Sequence, residues 1–286
     1  MSVKDSRRST FKINIEKEKM NPGKSRMDYL KDTLTSKLAE LTGDLPAFIH
    51  LDMLGLAKTA RNNEDRLAEF LDILTDTEKK GGNFCIPSYS LSYTRNEEYI
   101  IPDTECVNVG AVSEFIRKNF PKKRTVDALF SYLIFGDKIS KKHYEVNDYE
   151  SFGTDSLIGE VFRTDGYIWA IGGVFKNSTE IHFIEKLLQV SYRYDKIFKG
   201  KLTDNYGKKH DQKVTYFCKN FDYNLWYDFK NLENDLREDG LMETIKTDGY
   251  PFFITGIKFS TLYEYIEHKI RKDYKYFIKD LKDRRL

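Results

Sequence analysis

The sequence predicts an α/β fold: a single layered domain whose central sheet, mostly parallel or mixed, is flanked by helices. Three observations carry this. From residue 27 to residue 185, short apolar runs bounded by turn residues alternate with amphipathic helical stretches. The run from Tyr167 to Phe175, between Asp165-Gly166 and Lys176-Asn177, is apolar without alternation, as suits a strand covered on both faces. The chain of 286 residues is 40% hydrophobic and 14% aromatic, enough to bury a sizeable core.

Taken in order, residues 1–25 are polar and mixed in charge and read as a leader. The domain then runs over residues 26–286. Met27, Leu30, Leu34, Leu38 and Leu41 form one helical stripe, ended by Gly43-Asp44. Pro46–Leu51 is a short strand followed by a turn at Asp52. Asp65–Leu74 is an amphipathic helix, Gly81-Gly82 breaks the chain, and Asn83–Ser90 is the next strand. Residues 91–108 form a long polar and aromatic connection, a length that in compact domains usually serves function or mobility. Gly110–Phe120 is helical, Ala128–Phe135 strand-like, 143–152 a loop, and Leu157–Phe162 a short helix.

After the 167–175 strand, Asn177, Ser178 and Thr179 offer N-cap side chains, and Asn177 with Glu180 has capping-box spacing. Farther on, Lys199–Lys213 reads as a surface loop and Val214–Cys218 as a strand. Tyr223–Leu236 reads as a helix, Phe252–Ile257 as a strand, and Ser260–Leu281 as a final amphipathic helix capped by Ser260. Residues 200–286 are taken as an extension of the same domain.

Composition narrows the function. Charged residues make up 32% of the chain, yet the formal net charge is only +2, which opposes a global drive toward nucleic acid. No run of about 18 apolar residues suggests a membrane span. The N-terminal stretch lacks the apolar core of a secretory signal. Cys85, Cys106 and Cys218 are far apart and odd in number, without metal spacing, so no metal site is expected and a reducing cytoplasm is the default location. There is no Gly-rich phosphate loop and no Gly-x-Ser-x-Gly elbow.

What remains is His182 and Glu185, three apart and so on one helix face, just past the carboxyl end of a buried strand. Spacing alone leaves two readings open: a solvated ion pair, or a general base with its carboxylate partner.

Six ordered blocks bear on the choice: 48–56 (FIHLDMLGL), 82–90 (GNFCIPSYS), 109–118 (VGAVSEFIRK), 123–136 (KRTVDALFSYLIFG), 151–161 (SFGTDSLIGEV) and 166–185 (GYIWAIGGVFKNSTEIHFIE). Together they resemble the aminoglycoside 3-N-acetyltransferase family, the last block resembling that family's Asn-Thr-x-x-His-x-x-Glu end. The resemblance spans about residues 25 to 200. It implies an acyl-CoA-dependent enzyme that acylates an amine on a sugar, with His182 and Glu185 as its catalytic pair. It further implies acetyl-CoA or another acyl-CoA as cosubstrate, met by His50, Asp52, Arg124 and Ser131, and an amino sugar met by Tyr89, Tyr93, Asp127 and Arg193. The expected partners are these small molecules alone, with the chain acting singly or as a homodimer.

The departures shape the acceptor. Where antibiotic-modifying members carry Arg-Ser-x-His-Pro-x-His-Ser, this chain has Arg124-Thr-Val-Asp127-Ala-Leu-Phe130-Ser131, losing both histidines. The Phe-Ser ending and the Tyr192–Asp195 stretch resemble relatives that acylate amino sugars for surface polysaccharides. A nucleotide-linked deoxyamino sugar is therefore the expected acceptor, with an aminoglycoside, a polycation that favours an acidic cleft, as the alternative. A relative that binds without chemistry is a third reading, opposed by the presence of both His182 and Glu185.

Overall fold

A computed structural model describes residues 26–51, 63–172, 178–223, 225–246, 253–276 and 278–280. The leader, the turn at Asp52, the end of the long apolar run and the N-cap candidate Asn177 lie outside them.

The described chain runs α1 (Arg26–Gly43), β1 (Ala47–Leu51), α2 (Asn63–Lys79), β2 (Phe84–Pro87), β3 (Tyr99–Ile100), α3 (Gly110–Asn119), β4 (Tyr132–Phe135), β5 (Tyr149–Glu150), α4 (Leu157–Arg163), β6 (Tyr167–Ile171) and α5 (Ile181–Leu187). It continues with β7 (Arg193–Thr203), β8 (Lys209–Lys219), β9 (Leu225–Tyr227), α6 (Phe229–Glu238), β10 (Glu243–Lys246), β11 (Phe253–Lys258), α7 (Phe259–Lys272) and β12 (Ile278–Asp280). The central sheet has the order β10-β11-β6-β1-β2-β4. Strands β6, β1 and β2 are parallel, β11 and β4 pair antiparallel to them, and β10 pairs antiparallel to β11, so the sheet is mixed, as expected.

Strand alternation sorts the core into two layers. Ala47, Ile49, Phe84, Ile86, Trp169 and Ile171 face one layer, covered by Leu34 and Leu38 of α1, Phe70 and Leu74 of α2, and Ile116 of α3. Phe48, Cys85, Ile134, Ile168 and Ile257 face the other, covered by α4, α5 and α7. Each fully buried Leu, Ile or Phe among them contributes about 1.5–3 kcal/mol. His50 follows Phe48 by two residues and so falls on this second face, at the carboxyl end of β1. No described helix is long and apolar enough to cross a membrane.

Over the second face lies another sheet, β3-β7-β8-β5, built on an antiparallel β7–β8 hairpin with eleven residues in each strand. This corrects the surface loop expected over 199–213. Only Asp204–Lys208 turn, and the flanking strands look loop-like because most of their side chains reach water and are polar. Gly200 fits here because a Cβ would meet the Tyr93 ring at 2.4 Å.

Two further expectations change. The helix read over 223–236 gives way to β9 and then α6, whose N-cap is Asp228 accepting from Asn231 N–H. The last helix starts at Phe259 after Lys258 and ends at Lys272, so Ser260 is inside it rather than its cap. The strand expected over 128–135 begins only at Tyr132. Before it, the carboxylate of Asp127 accepts from the N–H groups of Leu129 and Phe130 and holds a turn.

Candidate active site

The carboxyl ends of β1 and β2, the start of α3, the chain before α5, and β8 enclose a cleft of about 660 Å³. His50, Tyr89, Asn108, Phe130, Thr179, His182 and Tyr216 are among its lining residues. It has the size of a small-molecule site and lies where α/β sheets bind ligands.

His182 is the second residue of α5, and Glu185 follows on the same face one turn later. His182 Nδ1 lies 2.7 Å from Glu185 Oε2, and the carboxylate is fully buried. The first residue of β7, Arg193, brings Nη1 to 2.8 Å from the same Nδ1, 3.2 Å from Glu185 Oε2 and 3.0 Å from the Tyr227 hydroxyl. Nδ1 cannot serve both. Arg193 has other acceptors in Glu185 and Tyr227, whereas a bare imidazole nitrogen facing a carboxylate repels it. The proton therefore belongs on Nδ1, donated to Glu185, which leaves the Nε2 lone pair for the cleft.

Electrostatics agree with a base. Burial first, then the Arg193 charge, hold the His182 imidazole below the ordinary histidine range against the pull of Glu185. Burial pushes the Glu185 carboxyl up, but the hydrogen bond and charge of His182 together with Arg193 outweigh it and keep it below the usual carboxylate range. Phe152, Tyr227 and Phe229 pack around the ring, with centroids 5.8, 5.5 and 6.3 Å away. The arrangement is a fixed, neutral, partly shielded imidazole with a lone pair on a cleft, which is what deprotonating an amine requires.

A second histidine–carboxylate pair lines the same cleft. His50 Nε2 is 2.9 Å from Glu180 Oε2, and Glu180 Oε1 accepts from the Tyr132 hydroxyl at 3.0 Å. Tyr132 in turn meets the Tyr89 hydroxyl at 2.9 Å. Glu180 is wholly buried and occupies the N-cap position of α5 without capping it. The capping role expected for it is thus replaced by a contact 130 residues away in sequence.

The other site candidates divide. Tyr89 and His50 line the cleft, and Arg193 belongs to the His182 cluster. Arg124 does not reach the cleft. It is fully buried, donating to Ser131 Oγ and to the carbonyls of Ser88, Ile101 and Thr104. Ser131 spends its own proton on Ser88 O at 2.7 Å. The Arg124 donors are thus taken by backbone carbonyls and the Ser131 hydroxyl, that of Ser131 by Ser88 O, and neither side chain lines the cleft. Tyr93 is buried beneath β7 and donates to Gln212, and Asp127 is committed to its turn, with burial raising its carboxyl above the ordinary value. Asp52 lies outside the described residues. Among the described residues, no three His, Cys, Asp or Glu side chains gather as a metal site.

Residues the sequence did not single out for the site include Tyr132, Tyr216, Tyr227 and Glu180, the last read only as a cap. The first turn of α3 is another: Val109 at its N-cap makes no side-chain hydrogen bond and the first turn holds no acidic residue, so the positive end of this helix lines the cleft without a carboxylate in that turn.

Several solved structures share this fold. The apoenzyme of aminoglycoside acetyltransferase AAC(3)-IVa is similar in structure, with TM-score 0.61 and 17% identity over 88% of this chain and 90% of that one. Sisomicin-bound AAC-VIa gives 0.65 and 15% over 85% and 97%. AAC-IIIb with CoASH gives 0.63 and 12% over 85% and 96%. At such identities the likeness establishes a shared fold. No curated protein matches the chain. The model of the aminoglycoside 3-N-acetyltransferase family matches residues 56–264, a stretch that holds the His182 cluster and nearly all of the cleft lining. With that match, the chain belongs to the aminoglycoside 3-N-acetyltransferase family and is an N-acetyltransferase.

Proposed function

We propose that this chain transfers an acetyl group from acetyl-CoA to an amine of an aminoglycoside, with His182 as the base. The observation that carries this is His182 itself: its Nδ1 is tied to a buried carboxylate and its ring lines the cleft of a chain in this family. An attacking amine must be neutral. Nε2 takes its proton as the N–C bond forms and the C–S bond of the thioester breaks, and Glu185 and Arg193 hold the ring in place. The start of α3 suits the anionic coenzyme A, and AAC-IIIb is known with CoASH. Solved neighbours bound to sisomicin support an aminoglycoside acceptor over the nucleotide-linked sugar expected from the departures at Asp127 and Phe130.

One observation favours the second reading, an uncharged or anionic amino sugar. None of the described lining residues is a carboxylate, whereas a polycation gains from acidic walls. Thiol release from acetyl-CoA, measured with a panel of aminoglycosides and a panel of nucleotide-linked amino sugars, separates the two. Turnover confined to the second panel overturns the aminoglycoside reading, and no thiol release with either panel overturns acetyl transfer. Three unpaired cysteines suit a reducing compartment, and we place the enzyme in the cytoplasm.

A further inference from the structure

The start of β7 and the strands near the carboxyl end of the chain meet at one guanidinium. Arg193 Nε donates to Phe217 O at 3.0 Å, which anchors the group to β8. Its Nη1 carries two hydrogens and has three neighbours: His182 Nδ1 at 2.8 Å, the Tyr227 hydroxyl at 3.0 Å and Glu185 Oε2 at 3.2 Å. The imidazole is the nearest of the three. If Nη1 donates to it, Nδ1 holds no proton, and the ring hydrogen sits on Nε2, where the attacking amine must deliver its own. Arg193 is buried, and a desolvated donor left unpaired is costly. The tautomer of His182 therefore depends on whether Nη1 finds two acceptors elsewhere. Glu185 Oε2 is one, and the Tyr227 oxygen is the other.

Tyr227 is well placed for this. It lies on β9, and among the described residues β9 pairs with β12 alone, so the last strand fixes it. Its ring packs on His182 with centroids 5.5 Å apart and stacks on Phe229 at 4.9 Å. Burial and the Glu185 charge hold its proton far above the ordinary phenol range, so the oxygen stays a neutral hydroxyl with lone pairs to offer.

We propose that Tyr227 is a positioning residue of this site: its hydroxyl draws an Nη1 hydrogen of Arg193 away from His182, which keeps the imidazole proton on Nδ1 and the Nε2 lone pair open to the amine. This role presupposes the acetyl-transfer reading, but the tautomer it selects belongs to the resting protein. The charged and titratable groups around the His182 ring are Glu185 and Glu180, Arg193, Tyr227, and along the cleft Tyr216 and His50. Burial and then Arg193 oppose a charge on this ring, and the two carboxylates favour one. Without the Tyr227 oxygen, Arg193 turns fully onto Nδ1 and its opposition grows. The Tyr227 hydroxyl also interacts with Glu185, and loss of that contact alone would act the other way, leaving the carboxylate to pull harder on the ring.

Tyr227→Phe removes one oxygen and keeps the ring that packs on His182 and Phe229. Nitrogen NMR of histidine-labelled, ligand-free protein reads the tautomer, with the His182 signals assigned by His182→Gln. The wild type is expected to show a neutral His182 with its proton on Nδ1, and Y227F a substantial fraction protonated on Nε2. In thiol release from acetyl-CoA, Y227F is expected to lower kcat by about 10-fold, the worth of one hydrogen bond to a charged group, with KM for acetyl-CoA little changed. Its acidic limb should move to lower pH. Arg193→Met removes the competing donor, so adding Y227F to it should cost no more than about twofold, the scatter of uncoupled changes. A wild-type His182 protonated on Nε2 overturns the role whatever the variants do. So does a Y227F His182 still wholly protonated on Nδ1, a limb moved to higher pH, or an equal loss with and without Arg193. Absence of acetyl transfer by the wild type would instead sink the acetyl-transfer reading, and the two spectra would still judge Tyr227.

Discussion

Replacing Glu185 by glutamine changes a few atoms and reverses the logic of the base. In the wild type a buried carboxylate 2.7 Å from Nδ1 selects the tautomer with a bare Nε2. A glutamine amide can present its N–H₂ to Nδ1 instead, which moves the imidazole proton to Nε2 and aims a hydrogen at the amine that should lose one. The lost hydrogen bond to a charged group is alone worth about 1.5–3 kcal/mol. That is roughly 10- to 150-fold in rate, and tautomer loss carries the total to about 100-fold or more in kcat. The variant also leaves Arg193 short of its carboxylate, a buried pair whose breakage costs about 3–5 kcal/mol. For a chain of this size that corresponds to a Tm drop of about 5–15 °C. Thiol release from acetyl-CoA gives kcat and KM, and thermal unfolding gives Tm. The pH profile adds a sign. Activity requires neutral His182, so the rate rises as pH climbs through its pKa. Glu185 favours the charged ring, and removing it moves that limb to lower pH even as the plateau falls. An E185Q enzyme with the wild-type plateau, or with its limb moved upward, refutes this assignment of His182 and Glu185.

Arg193→Met should do the opposite to the profile, because the guanidinium opposes protonation of His182; its acidic limb is expected at higher pH in the same assay. Burial holds His143 as well as His182 below the ordinary histidine value. The unfolded chain therefore binds protons first, so unfolding free energy from urea titrations should fall as pH drops below about 6.5 and level off beneath the folded pKa values. Glu114 is pushed down to about 2: burial opposes ionisation, but the Arg117 ion pair and the Cys106 N–H prevail. Its stabilisation is present above the ordinary glutamate value and lost as pH falls toward about 2, and E114Q should destabilise the protein by about 2 kcal/mol near neutrality in the same titrations. Gly256→Ala would place a Cβ 2.0 Å from the Trp169 ring, and should cost about 1–3 kcal/mol or more by thermal unfolding.

The parts of the fold legible in the sequence are those where burial on one or both faces imprints a period. Leu34 and Leu38 in α1, the β1 and β2 runs, and His182 with Glu185 on one helical face all carry such a signal. Of the β7–β8 hairpin only Val214–Cys218 was legible as a strand; the rest hid because its exposure leaves no alternation to read. The end of the last helix was misplaced since the polar residues of a helix exposed on one side resemble those of the turn that follows. In the site, the residue types were visible but not their directions. Arg124 and Ser131 look like ligands for phosphate or carbonyl until Ser88, Ile101 and Thr104 are found to take their donors. Glu180 looked like a local cap, since nothing nearby announces a partner on β1.

The fully buried guanidinium of Arg124 has a further consequence, for the order in which the molecule opens. It joins the end of β2 and the 101–104 turns through their carbonyls and the start of β4 through the Ser131 hydroxyl, with its charge over the Tyr99 ring. No carboxylate is among these partners, so the charge is compensated by dipoles that exist only when all three segments are in place. The connection over residues 91–108 therefore cannot peel away singly. Releasing it would strand a bare cation in the core, so its amides should exchange with solvent together with those of β4, and proteases should spare a segment whose composition invites cleavage.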